Sequence, residues 1–222
     1  MSAVVEIAGI DGSGKTTLAE RLRRHFADRG HPAQTRRVHS LVRRWCSALG
    51  ARHGLGRGDW AGHDAVELAV AFEYLRESRR LDRVPPGEVL VLEPYVLNSA
   101  AIAAALGTGN LPGLLDVYCA TPAPDLVVLL DLDPAAAMRR ILARPGTDNF
   151  LLTERHDPFI EKLHAAFGRV LPAFAAAGRQ VLVLDGAAPV ERNLGRVVDR
   201  LEASGYVFPP SGGADRPAST GG

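Results

Sequence analysis

The chain of 222 residues is poor in cysteine, with Cys46 and Cys119 alone. Two cysteines make neither a disulfide framework nor a metal-ligand pattern, so the expected compartment is a reducing cytoplasm. The histidines have no metal-ligand spacing. No apolar run reaches the roughly 18 residues of a membrane span. The first strand-like run begins at Ala3, so no signal peptide is expected. The net charge of +1 supplies no field of either sign, which speaks against nucleic acid or a membrane surface as partner. There is no internal repeat. Length, 46% apolar residues and 23% charged residues suit one globular domain with a full core, over residues 1–208. The tail 209–222 is rich in Pro, Gly, Ser and Ala and is expected to be disordered.

Lysine is equally scarce. The 26 basic residues divide into 24 arginines and two lysines, Lys15 and Lys162. Lys15 falls within Gly9-Ile10-Asp11-Gly12-Ser13-Gly14-Lys15-Thr16, a complete G-x-x-x-x-G-K-[ST] phosphate loop. The strand-like run Ala3-Val4-Val5-Glu6-Ile7-Ala8 precedes it, and a helix-forming run from Thr17 to Arg24 follows. Strand, glycine-rich turn and helix form the context that makes such a pattern an anion site. The glycines let the backbone curl its N–H groups toward a phosphate at a helix N-terminus. Residues Gly9, Asp11, Gly12, Ser13, Gly14, Lys15, Thr16 and Thr17 are therefore the expected triphosphate contacts. Lys15 is placed to reach the β- and γ-phosphates, and the Thr16 hydroxyl to bind Mg²⁺. A compact point charge in an otherwise arginine-only chain fits that role.

Five β-type runs, about 3–8, 33–38, 88–93, 125–131 and 180–184, alternate with helical stretches. Glu88–Glu93 and Asp125–Asp131 are nearly continuous apolar runs bracketed by acids, as strands buried on both faces read. The alternation predicts an α/β fold, a five-stranded parallel sheet flanked by helices, with ligands at the C-terminal strand ends. The residues just after each run are then the loop, Arg36 and Arg37, Glu93, Asp131 and Asp133, and Asp185. Helices are expected over Asp64 to about Leu81, with Leu68, Phe72 and Leu75 on one face. Others are expected from Pro134 to Ala143, from His156 to Ala177 with a kink or an end at Pro172, and over 188–203. Residues about 40–62 read as an acceptor-side insertion, with a glycine-rich loop from His53 to Asp59.

The loop wording, with Asp11 and Thr17, resembles the thymidylate kinase family, a group of P-loop nucleoside monophosphate kinases. Phe72 and Arg76 resemble the family's Phe-x-x-x-Arg element, where the aromatic stacks on the acceptor base and the Arg bonds its carbonyl. Pro124-Asp125 through Asp131-Leu132-Asp133-Pro134 resembles its P-D-x-x-x-x-L-D-x-x-P strand. Arg139, Arg140 and Arg144 resemble the start of its arginine-bearing lid, about 139–157. The segment Val183 to Pro189, with Asp185 and Ala187, resembles the loop that passes the donor adenine. The resemblance implies a P-loop NTPase fold, ATP as donor, Mg²⁺, a nucleotide or nucleoside-like acceptor, and a homodimer. It also places Asp11 at the acceptor sugar.

One departure stands out. The family carries an Asp-Arg pair and an aromatic after the third strand, and that Arg holds the acceptor phosphate. Here the place reads Glu93-Pro94-Tyr95. Glu93 and Tyr95 can stand in for the acid and the aromatic, but Pro94 has neither charge nor N–H. Arg37, after the second strand, is a candidate replacement. The catalytic set is then Lys15, Glu93, Arg139, Arg140 and Arg144. Acceptor contacts would be Asp11, Arg37, Phe72, Arg76, Glu93 and Tyr95. Plainer readings stand beside these: Phe72 as core, Arg76 as a solvated side chain, and Arg139, Arg140 and Arg144 as a basic helix face. Two alternatives to a monophosphate kinase remain. One is a nucleoside or small-alcohol kinase with Glu93 as base. The other is a nucleotide-dependent switch or binding module without an acceptor.

Overall fold

The computed structural model describes residues 2–54, 62–143 and 157–206. The tail 209–222, residues 55–61 of the glycine-rich stretch, and lid residues 144–156 with Arg144 lie outside the described residues. Five strands fall on the five expected runs: β1 (Ala3–Gly9), β2 (Ala33–Arg36), β3 (Val89–Leu92), β4 (Leu126–Asp131) and β5 (Val181–Asp185). All pair in parallel in the order β2-β3-β1-β4-β5.

The helices are α1 (Lys15–Ala27), α2 (Leu41–Arg52), α3 (His63–Ser78), α4 (Val96–Ala105), α5 (Leu111–Ala120), α6 (Pro134–Leu142), α7 (Asp157–Ala176) and α8 (Val190–Ala203). They cover both faces of the sheet, as an all-parallel sheet requires. On one face Val5, Ile7, Val91 and Val128 pack against Leu18 and Leu22 of α1 and Val197 of α8. On the other, Val4, Ala8, Leu90 and Leu129 pack against α3, α4, α5 and α7. The period-two alternation of a strand divides β1 between the two cores. This is a P-loop NTPase architecture. Its adjacent strands β1 and β3 send their following helices to opposite faces. The crevice beyond their C-terminal ends is where such sheets bind ligands.

Four features differ from the expectations or lie beyond them. The first concerns the inner face of α3. It consists of Val66, Glu67, Val70, Ala71, Tyr74 and Ser78, while Leu68 is 44% and Phe72 56% exposed. The buried polar groups there are satisfied: Glu67 pairs with Arg43 of α2, and the Tyr74 hydroxyl donates to the Val38 carbonyl at 3.2 Å. Second, the stretch about 40–62 opens with α2. Ser40 Oγ accepts from the Arg43 N–H at 3.1 Å, and Glu73 of α3 accepts from the Leu41 N–H at 2.8 Å, so a cap and a neighbour seat this helix. Third, α4 and α5 occupy a segment without a readable helical pattern. Fourth, of the kink or end expected at Pro172 the end does not occur, and α7 runs through to Ala176. Phe174, 2% exposed, lies beyond the proline and packs in one core with Phe167 and Val170, a burial that offsets much of the roughly 3 kcal/mol of a helix-interior proline.

The expected start of the helix at Pro134 is present, with the Asp133 carboxylate accepting from the Ala136 N–H at 2.9 Å. Among the described residues no helix is long and apolar enough to cross a membrane.

Candidate active site

The loop from Gly9 to Thr16 turns between β1 and α1, so the first N–H groups of α1 open onto it. Two of its glycines are fixed by space. A Cβ on Gly9, whose φ is +146°, would lie 2.7 Å from the Leu130 carbonyl oxygen. One on Gly12, at φ +83°, would lie 2.6 Å from the Ala137 carbonyl oxygen. Lys15 Nζ donates to the Gly9 and Ile10 carbonyls at 3.0 and 2.8 Å and sits 3.4 Å from Asp11 Oδ1. Ser13 Oγ is buried with no hydrogen-bond partner among the described residues.

Thr16 is the junction of the site. Its hydroxyl donates to Glu93 Oε1 at 2.5 Å and accepts from Arg37 Nη2 at 3.2 Å. Glu93 follows β3, is 7% exposed, and lines the same cavity as the loop. Thr16, Glu93, Arg37, Lys15 and Asp11 border one cavity of about 410 Å³. His39, Pro94, Asn98 and Ile102 line it as well, and Phe159 and Leu163 of α7 form its apolar side. Asn98 binds the loop directly, its Oδ1 accepting from the Gly9 N–H at 2.9 Å.

A second cavity, about 360 Å³, lies on the other side of the loop. Gly12, Ser13, Gly14 and Thr17 form its floor, and Gly186, Ala188 and Asn193 its wall. Arg140 spans it, donating to the Gly186 carbonyl at 2.9 Å and the Gly12 carbonyl at 3.4 Å. Asp185 shapes the wall through its own turn, Oδ1 accepting from the Ala187 N–H at 2.7 Å. Gly186 and Ala188 face the cavity in place of the expected Ala187.

Other expected contacts are placed elsewhere. Tyr95 is 1% exposed, lies edge-on against Tyr74 in the core, and borders neither cavity. Phe72 faces solvent on α3, outside both cavities. Arg76 borders a shallow depression with Arg36, Arg37, His39 and Glu77 that adjoins the larger cavity. Arg139 is exposed on α6 and lines neither cavity. Asn98, His39, Ile102, Phe159 and Leu163 were not among the expected contacts. Asn98 carried no readable signal because the helix bearing it carries none.

The fold and the glycine-rich loop define a P-loop nucleotide-binding protein. The chain is 33% identical over 153 residues to a probable thymidylate kinase of Thermococcus gammatolerans, covering 65% of this chain and 72% of that protein. It is 29% identical over 201 residues to a probable thymidylate kinase of Pyrobaculum calidifontis, covering 85% and 95%. It is 30% identical over 143 residues to probable thymidylate kinase 1 of Saccharolobus solfataricus, covering 64% and 71%. No family model matches the chain. The chain belongs to the thymidylate kinase family.

Proposed function

We propose that the protein transfers the γ-phosphate of ATP to a nucleoside monophosphate, with Arg37 holding the acceptor phosphate in place of the arginine missing at Pro94. The observation that carries this reading is the meeting of Arg37 and Glu93 on the Thr16 hydroxyl, beside Lys15, at the edge of one cavity. Thr16 Oγ1 and the Glu93 carboxylate are hard oxygen donors on one side of the phosphate loop, a set that suits Mg²⁺. They would hold that ion, which when bound neutralises charge on the β- and γ-oxygens. Lys15 binds the same oxygens from the loop. Arg140 clamps the smaller cavity, assigned to the donor nucleoside. Asp11 and Arg37 orient the acceptor, and Phe159 and Leu163 keep water from its apolar side.

Pro94 favours a second reading, in which a nucleoside or small alcohol is the acceptor and Glu93 is its base. The 2.5 Å bond from Thr16 weighs against it, because it engages the Glu93 carboxylate toward the metal position. The Arg37→Ala variant separates the two. On the monophosphate reading KM for the acceptor rises roughly 10–150-fold, the value of one charge-assisted contact, while KM for ATP stays near its original value. An unchanged acceptor KM refutes the role of Arg37.

We also propose a homodimer, as the resemblance implies. Leu41, Trp45 and Leu49 form an exposed apolar stripe on α2, and Leu68 and Phe72 of α3 are exposed as well. Sedimentation equilibrium is expected to give twice the chain mass. A monomer that a Trp45→Glu substitution leaves unchanged counts against the dimer.

A further inference from the structure

Glu6 stands in the middle of β1, among Val4, Val5, Ile7 and Ala8, and is fully buried. An ionisable group there needs partners. Its Oε1 accepts from the backbone N–H of Leu97 at 2.9 Å and of Asn98 at 3.4 Å, the first turn of α4. That helix has no cap of its own: Tyr95 at the cap position makes no side-chain bond to it. A carboxylate from the central strand therefore does the work that Ser, Asp or Asn does in an ordinary helix start. The same turn is tied to the same strand a second time, by the Asn98 bond to Gly9. Glu93 precedes this turn by three residues, and Gly9 opens the phosphate loop. The two walls of the cavity thus hang from one buried junction.

We propose that Glu6 is a positioning residue for phosphoryl transfer, holding the 93–98 turn in register with the phosphate loop through the first turn of α4. The proposal rests on the kinase reading given above.

The charge state of Glu6 makes it testable. Burial pushes its carboxyl up to about 7, against the lowering effect of the backbone N–H bonds and of Arg179. Arg179 approaches from the turn before β5. Its Nε and Glu6 Oε2 both lack hydrogen-bond partners among the described residues, and both line one void too small for a water. Tyr74 and Tyr95 also face this region, with hydroxyls raised by burial that stay neutral. The folded-state value lies above the unfolded one, so the fold favours protonated Glu6. That contribution to stability is full below about pH 4.5 and is lost as pH rises through about 7. The ionised carboxylate is the stronger acceptor for the two N–H groups. The form that holds α4 most firmly is therefore the form that stabilises the fold least.

The test uses the full chain and Glu6→Gln, an isostere that keeps one acceptor oxygen and cannot ionise. For the wild type, kcat should rise about tenfold as pH increases through 7. In Glu6→Gln that limb should vanish, kcat at pH 8 should be about tenfold lower, and KM for ATP should hold. Denaturant midpoints measured alongside should show Glu6→Gln gaining stability relative to wild type between pH 5 and 8. A variant that is more stable yet slower marks positioning, because a purely structural role ties activity to stability. Superimposable kcat–pH profiles overturn the proposal, as does a loss of kcat that only follows the unfolded fraction. Asn98→Ala, which cuts the second tie from a residue at the cavity wall, supplies an independent arm. It should lower kcat without moving the pH limb, and an unchanged kcat counts against the junction. If wild type phosphorylates no acceptor, the kinase reading itself fails, and that outcome is read from wild type alone.

Discussion

Lys15→Ala should leave a folded protein whose phosphoryl transfer is reduced at least roughly 10²–10³-fold, the scale of an electrostatic contact made in the transition state. The Lys15 side chain rests on the carbonyls of Gly9 and Ile10 within the loop, and no core cluster includes it. Its removal takes a cation from the transferring group and leaves the sheet untouched. Circular dichroism and the melting point should match wild type. Retention of more than about a tenth of the activity would contradict this role, since it corresponds to a loss of under about 1.4 kcal/mol.

Glu93→Gln is the second large effect. The amide keeps the shape of the side chain and an oxygen to accept from Thr16, but it carries no charge. The expected result is a fall in kcat of roughly 10–150-fold, the worth of a charge-assisted interaction, with a much smaller change in ATP affinity measured separately. The split follows from position. Glu93 comes from the end of β3 and touches the loop through the Thr16 hydroxyl alone, whereas the loop's own N–H groups and Lys15 would hold the triphosphate. An unchanged kcat would make Glu93 a purely structural partner of Thr16.

The strands were legible because a parallel sheet buried on both faces leaves unbroken apolar runs in the chain, and acids mark their ends at Glu93 and Asp131. The phosphate loop was legible because its chemistry lies in eight consecutive residues. What resisted reading was contact between distant segments. α4 is buried nearly all round, so it shows no polar stripe by which a helix period is recognised. With the helix unread, Asn98 could not be placed. The inner face of α3 is hidden in the sequence because it carries Glu67 and Tyr74, whose polar atoms find partners on α2 and at Val38, while Leu68 and Phe72 face out. Glu6 did leave a mark, as a single acid inside an otherwise apolar strand. Its partners lie more than ninety positions along the chain, and only the fold brings them together. Arg37 was identified by its place after β2, whereas its approach to the Thr16 hydroxyl depends on how β2 and β3 align.

The acceptor decides the central claim most directly. Steady-state kinetics with ATP and thymidine monophosphate, run beside a panel of other nucleoside monophosphates and nucleosides with product masses determined, should give a nucleoside diphosphate from at least one monophosphate. With Pro94 in place of the family's arginine and Arg37 a partial substitute reaching in from the end of β2, kcat/KM on thymidine monophosphate should fall below about 10⁵ M⁻¹s⁻¹, short of the ordinary efficient range. A value at or above that level would show that Pro94 is fully compensated and that the acceptor is the family's usual one. A panel in which only nucleosides gain phosphate would contradict the account outright.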